Sequence, residues 1–237
     1  MNEKILKLRE MMDKANSMVF FGGAGVSTES GIPDFRSTDG LYNQRFKYPP
    51  ETILSGSFFK KHPEEFYEFY YEKLQVGDVK PNKAHIRLAQ LEAEGKLKAV
   101  ITQNIDGLHQ QAGSKNVYEL HGTIHRLYCS KCGKPAGDEV LAGKSVPLCS
   151  CGGVIRPDVV LYEEGLDQKV IMDAIAHLRS CDMLIVGGTS LAVYPAAGLI
   201  NYYSGDKLVL INRDPTPFDN HANLVINEKL GEVFAQV

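Results

Sequence analysis

Short apolar runs recur along the chain at residues 18–21 (MVFF), 97–103 (LKAVITQ), 158–162 (DVVLY), 183–188 (MLIVGG) and 207–212 (KLVLIN). Runs of this kind suit strands buried on both faces, as in a parallel sheet. Between them, residues 63–74, 82–95, 166–180 and 195–204 repeat their apolar positions at the helical period. Strands alternating with helices predict an α/β fold built on a Rossmann-like, doubly wound parallel sheet. At the start of the chain Ile5, Leu8, Met12 and Ala15 are spaced as one helix face among charged residues. That spacing predicts a surface helix, because a secretion signal needs a continuous apolar core.

The alternation lapses from about residue 122 to residue 157, where Cys, Gly, Pro and Lys replace the apolar period. Two units are therefore expected: a Rossmann-like domain of residues 1–121 and 158–237, and a small inserted zinc-ribbon module of residues 122–157. Within the module Cys129 and Cys132 form one close pair, and after sixteen intervening residues Cys149 and Cys151 form another. Four thiolates in two close pairs match tetrahedral zinc, and four protein ligands leave no position for water, so the expected Zn2+ is structural. Disulfides or incidental cysteines are the alternative. A chain with no secretion signal, and no apolar run near the roughly 18 residues of a membrane span, points instead to a reducing cytoplasm. Cys181, alone after a helix, reads as a small buried hydrophobe.

With 237 residues, 43% of them hydrophobic, the chain is long enough for one large core and a small module. A net charge of −3 carries no basic excess. Neither nucleic acid nor an anionic membrane is an expected partner.

The first apolar run leads into FFGGAGVSTESGIPDFRS, residues 20–37. Glycines at a strand exit let backbone N–H groups approach a pyrophosphate closely. Gly23 and Gly25 fit a dinucleotide fingerprint, but Thr28 stands where its third glycine belongs. The acidic ribose ligand of a dehydrogenase is also missing some 20 residues on. DFRSTDGLYNQRF, residues 34–46, reads instead as a mobile loop carrying Phe35 and Arg36, suited to a reaction that breaks NAD.

Three other strand exits carry polar groups: Gln103, Asn104 and Asp106 in TQNIDGLHQQAG, Thr189 and Ser190 in VGGTSLAVYPA, and Asn212 in LVLINRD. The last two also read as strand-to-helix caps. His121, just before a glycine in YELHG, is the best placed general base, since imidazole titrates near neutral pH. His85, His109 and His177 fall within helical patterns and read as packing or surface residues.

Taken together and in this order, GAGVSTESGIPDFR, TQNIDGLHQQAG, ELHG, the two cysteine pairs, GTSLAVYPAA and INRDPTPFD resemble the sirtuin family of NAD-dependent protein lysine deacylases. The resemblance spans nearly the whole chain. It implies a deacetylase that moves the acetyl group of acetyl-lysine onto ADP-ribose, releasing nicotinamide and O-acetyl-ADP-ribose, with NAD+ as co-substrate. By position it implies that His121 is the base, that Asn104 orients ribose or water, and that Asp106 with Ile105 holds the nicotinamide amide. Ala24, Thr28, Phe35, Arg36 and Gln103 would line the nicotinamide and ribose pocket, with Thr189, Ser190, Asn212 and Arg213 toward the adenosine half. An acetylated protein segment would add as an extended strand against Val159, Val160 and Tyr162.

Two positions depart from the family pattern. Glu163 stands where many relatives have glycine on the peptide strand. Tyr70 and Lys73 occupy the place of a Tyr-x-x-Arg pair that takes acidic acyl groups, and lysine lacks the bidentate fork of arginine. Lys73 reads as a solvated helix face, and acetyl is the expected acyl group. A mono-ADP-ribosyltransferase, a dehydrogenase and a zinc-ribbon binding module with a vestigial nucleotide fold are the competing readings.

Overall fold

Side chains alternate across Met18–Gly22, and that alternation decides how the central sheet is covered. The computed structural model describes residues 2–35, 40–75, 77–143 and 145–237. The first half of the chain forms α1 (Glu3–Lys14), β1 (Met18–Gly22), α2 (Pro50–Ile53), α3 (Gly56–Lys61), α4 (Pro63–Phe69), α5 (Lys83–Ala93), β2 (Leu97–Thr102) and α6 (Leu108–Gln111). Then follow β3 (Val117–Glu119), β4 (Gly122–Cys129), β5 (Pro135–Ala136), β6 (Ile155–Val159), α7 (Gln168–Ser180), β7 (Met183–Gly187), β8 (Leu208–Ile211), β9 (Leu224–Ile226) and α8 (Leu230–Phe234).

Six parallel strands stand in the order β3-β2-β1-β7-β8-β9. Met18 and Phe20 of β1 point to one face, where α1, α5 and α8 contribute Ile5, Leu8, Leu88, Leu91 and Phe234. Val19 and Phe21 point to the other, packed with Ala174 and Leu178 of α7. Strands buried on both sides are why the apolar runs of this sheet are continuous. The order reverses between β1 and β7, so Gly22 and Gly187, paired in register, end side by side at the edge where such sheets bind ligands.

A second, three-stranded antiparallel sheet has the order β5-β4-β6. The run at residues 158–162 was expected to be a parallel strand of the main sheet. Instead the strand is Ile155–Val159, antiparallel to β4, and the chain leaves it at Val160. An apolar run alone does not say which sheet will bury it. This sheet, with Leu161 just beyond it, packs on the aromatic residues of α3, α4 and the turn after α4, with Phe58, Phe59, Phe66, Tyr67 and Tyr70 joining Ile124, Leu127, Ile155, Val159 and Leu161 in one core. The Tyr67 hydroxyl donates to the Ile155 carbonyl, and the Arg156 guanidinium lies 5.2 Å over the Phe59 ring while pairing with Glu164 at 2.7 Å.

Residues 63–74 form α4 followed by one π-helical turn, Tyr70–Leu74, and residues 196–202 form a 3-10 rather than an α-helix. Short strands β3 and β9 extend the sheet at its two edges. Among the described residues no helix is long and apolar enough to cross a membrane.

His85 on α5 and His109 on α6 are buried together, with ring centroids 4.7 Å apart. His85 Nδ1 accepts the Asn82 N–H at 3.3 Å in the N-terminal cap of α5, while His85 Nε2 and both His109 nitrogens have no hydrogen-bond partner among the described residues. Burial pushes His85 down to about 4 against a small opposing pull from Asp106, and burial followed by the His85 ring holds His109 well below the usual histidine range. The unfolded chain therefore takes up protons near pH 6.5 that the folded chain refuses. Stability should fall as pH drops from about 6.5 toward 4, by up to about 1.4 kcal/mol per pH unit for each histidine. Urea midpoints measured across this range should show a shallower slope in His109→Phe than in the parent protein.

Candidate active site

Backbone contact between two loops comes first in building the site. The Gly25 N–H donates to the Gly188 carbonyl at 2.8 Å, joining the loop after β1 to the loop after β7. A Cβ on Gly25 would stand 2.8 Å from Gly188 Cα, and Gly188 itself has φ +60. Only glycines permit this approach. The loop then makes two 3-10 turns, Ala24–Val26 and Thr28–Ser30, and Asn82 anchors it from α5 by donating to the Val26 carbonyl at 2.8 Å and Ser30 Oγ at 3.1 Å.

Ser27, fully buried between those turns, is the hub of a short polar chain. Its hydroxyl donates to Asp106 Oδ2 at 2.6 Å and accepts from Asn104 Nδ2 at 3.0 Å. Asp106 Oδ1 accepts the Leu108 N–H at 3.0 Å, and Thr102 Oγ1 accepts the Asn104 N–H at 3.0 Å. Both site residues are thereby held at the end of β2. Neither Ser27 nor Asn82 stood out in the sequence: Ser27 is one small polar residue within GAGVST, and Asn82 is the first residue of the helical segment 82–95.

Gln103 connects the remaining parts. Its side chain donates to Thr189 Oγ1 at 3.1 Å, and its carbonyl lies 2.9 Å from His121 Nδ1. A carbonyl only accepts, so Nδ1 carries the proton and Nε2 is left as the basic nitrogen. Burial lowers the His121 pKa, with the Gln103 carbonyl opposing part of that effect. Next to it Gly122 has φ +75, and a Cβ there would overlap the Asp158 carbonyl, which explains the glycine after the histidine.

The His121 carbonyl accepts the Val160 N–H at 2.9 Å, so the segment carrying Val159, Val160 and Tyr162 runs alongside the His121 main chain. Ile105, whose carbonyl accepts the Ile124 N–H at 3.0 Å, packs against the aromatic core on the same side. Ala24 and Phe35 are half-buried in the loop, and Thr28 Oγ1 donates to the Gly25 carbonyl at 3.0 Å. Arg36 lies outside the described residues. Thr189 is buried and Ser190 exposed at the end of β7; Asn212 donates to the Asp214 carbonyl at 2.7 Å after β8, and Arg213 is exposed beside Asp214. Tyr70 is buried among aromatic rings, which pushes its hydroxyl up to about 12. Lys73, expected on a solvated face, is largely covered: it pairs with Glu72 at 2.9 Å and lies 5.5 Å over the Phe46 ring.

Away from this cleft the sulfurs of Cys129, Cys132, Cys149 and Cys151 lie within 4.8 Å of one another, none of them in a disulfide. The Cys129–Cys151 and Cys132–Cys149 separations are 3.5 and 3.8 Å. A tetrahedron of zinc–sulfur bonds near 2.3 Å has edges of about 3.8 Å, so the four positions fit the ion. Backbone N–H groups of Cys132 and Lys131 pull the Cys129 thiol down; Cys151, although it accepts the Gly153 N–H, is pushed up by the neighbouring thiols. Four thiolates this close need a cation among them.

The Sir2 family model matches residues 23–195. An NAD-dependent protein deacetylase of Clostridium acetobutylicum is 57% identical over 240 residues, covering 99% of this chain and 98% of that protein. A protein of the same name from Cutibacterium acnes is 49% identical over 234 residues, covering 98% and 96%. A Sir2 structure with p53 peptide and NAD+ superposes with a TM-score of 0.87 at 42% identity, covering 98% of this chain and 95% of that one. Another, with deacetylated p53 peptide and 3'-O-acetyl-ADP-ribose, superposes with a TM-score of 0.91 at 42% identity over 98% and 96%. With this family match over residues 23–195 and relatives at 49–57% identity along nearly the whole chain, the chain belongs to the Sir2 family.

Proposed function

We propose that this protein is an NAD-dependent protein lysine deacetylase that transfers acetyl from acetyl-lysine to ADP-ribose. The observation that carries the reading is His121, whose Nδ1 is fixed on the Gln103 carbonyl while its own backbone carbonyl accepts the Val160 N–H. NAD+, when bound, supplies the ribose carbon that receives the acyl oxygen as nicotinamide departs. His121 Nε2 takes the proton of a ribose hydroxyl, and burial keeps the imidazole neutral and ready for it. Asn104, fixed by Ser27, orients ribose or water; Asp106 with Ile105 holds the nicotinamide amide. Ala24, Thr28, Phe35, Arg36 and Gln103 line that pocket, and Thr189, Ser190, Asn212 and Arg213 serve the adenosine half. Val159, Val160 and Tyr162 receive the acetylated segment as an added strand.

Lys73 is engaged by Glu72 and by the Phe46 ring, which supports acetyl over an acidic acyl group. Residues 1–121 with 158–237 act as the NAD-binding domain. Residues 122–157 form the zinc module, joined by the aromatic helices α3 and α4 to one core. Zinc is structural, and free thiols suit a cytoplasmic protein. The net charge of −3 supports neither a nucleic-acid nor a membrane partner.

Incubation with an acetyl-lysine peptide, followed by peptide mass and released nicotinamide, should show NAD-dependent loss of acetyl. His121→Ala should lower kcat/KM by on the order of 10²–10⁴, the span of a general base; retained activity in that variant, or no cleavage of NAD by the parent protein, would sink the reading. The acid limb of kcat/KM against pH should fall below about 6.5, the ordinary imidazole value, since the folded protein resists protonating His121. Elemental analysis should find one zinc per chain, lost in Cys132→Ser together with a lower Tm.

A further inference from the structure

The phenol oxygens of Tyr42 and Tyr162, 120 residues apart in sequence, stand 2.6 Å from each other. Tyr42 belongs to the segment whose other end is Phe35. The Tyr42 N–H donates to the Phe35 carbonyl at 2.8 Å, the Leu41 N–H donates to the Asp34 carbonyl at 2.9 Å, and the Phe35 and Tyr42 rings meet edge to face at 5.6 Å. Whatever moves Tyr42 therefore moves Phe35.

Tyr162 sits on the fixed side. Its N–H donates to the Leu54 carbonyl at 2.9 Å and its carbonyl accepts the Gly56 N–H at 3.0 Å, which ties it to the turn between α2 and α3. The next residue, Glu163, takes φ 74, and its carboxylate accepts the Ser57 N–H and hydroxyl at 2.8 and 2.9 Å. Glu164 then accepts the Leu161 N–H and pairs with Arg156. The backbone around Tyr162 is thus bound on both sides, while the residue itself is 38% exposed and its hydroxyl meets that of Tyr42.

We propose that the Tyr42–Tyr162 hydroxyl pair is a positioning contact that couples the two substrates. It rests on the deacetylase reading, in which Phe35 faces NAD and Tyr162 faces the peptide. An exposed phenol pair competes with water. A peptide laid along Val160 and Tyr162 excludes that water and strengthens the bond, which holds Tyr42 and Phe35 in place for NAD. Linkage is reciprocal, so bound NAD improves peptide affinity by the same factor.

Tyr42→Phe and Tyr162→Phe keep the rings and remove the bond. In the unliganded full chain, hydrogen exchange of residues 40–44 should be faster in Tyr162→Phe than in the parent protein. Calorimetry with a carba-NAD analogue, whose ribose–nicotinamide bond does not cleave, should show tighter binding when an acetyl-lysine peptide is saturating. That enhancement should shrink about three- to tenfold in either variant and no further in the double variant, as loss of one shared hydrogen bond requires. Unchanged exchange, or an equal enhancement in parent and variants, would overturn the coupling and leave the deacetylase reading intact. A parent protein that binds neither ligand would overturn both.

Discussion

Gly25 and Gly188 meet backbone to backbone at the point where the strand order reverses, and the rest of the site is built outward from that contact. It brings the loops after β1 and β7 closer than two Cβ atoms would allow. A lifted loop would carry Ser27 away from Asn104 and Asp106, whose positions depend on its single hydroxyl. The altered glycine loop, which lacks a third fingerprint glycine, is explained by this arrangement. Its third position turns back through Thr28, whose hydroxyl caps the Gly25 carbonyl, in place of opening a long helix.

Polar groups inside this cleft form a chain with assigned donors and acceptors. Asn104 donates to Ser27, Ser27 donates to Asp106, and Gln103 reaches both Thr189 and His121. Each bond removes a rotamer or tautomer choice, so the groups are oriented before a ligand arrives. The imidazole is left with one basic nitrogen, and desolvation keeps it unprotonated near neutral pH.

Four cysteines and a layer of aromatic side chains stabilise the smaller sheet in different ways. The cysteines close the turns at the far end of β4, and Phe58, Phe59, Phe66 and Tyr67 cover the near end. This second core ties the aromatic helices α3 and α4 to the strand that leads into the Val160 segment, so packing remote from His121 sets the position of that segment.

Strand runs at 18–21, 97–103, 183–188 and 207–212 were legible because burial on both faces imposes continuous apolarity, a local property of the chain. The cysteine spacing and the histidine-glycine pair were legible for the same reason: ligand geometry and positive φ demand particular residue types at fixed intervals. Residues 158–162 were misplaced because an apolar run does not say which sheet will bury it. Ser27 and Asn82 carried no sequence signal beyond ordinary loop and cap residues, since their importance lies in partners 79 and 56 residues away. The sequence by itself determined the α/β class, the cysteine cluster and the residue types of the site. Only the tertiary structure decided which side chains meet, because hydrogen bonds between distant loops depend on strand order and register, which no local pattern encodes.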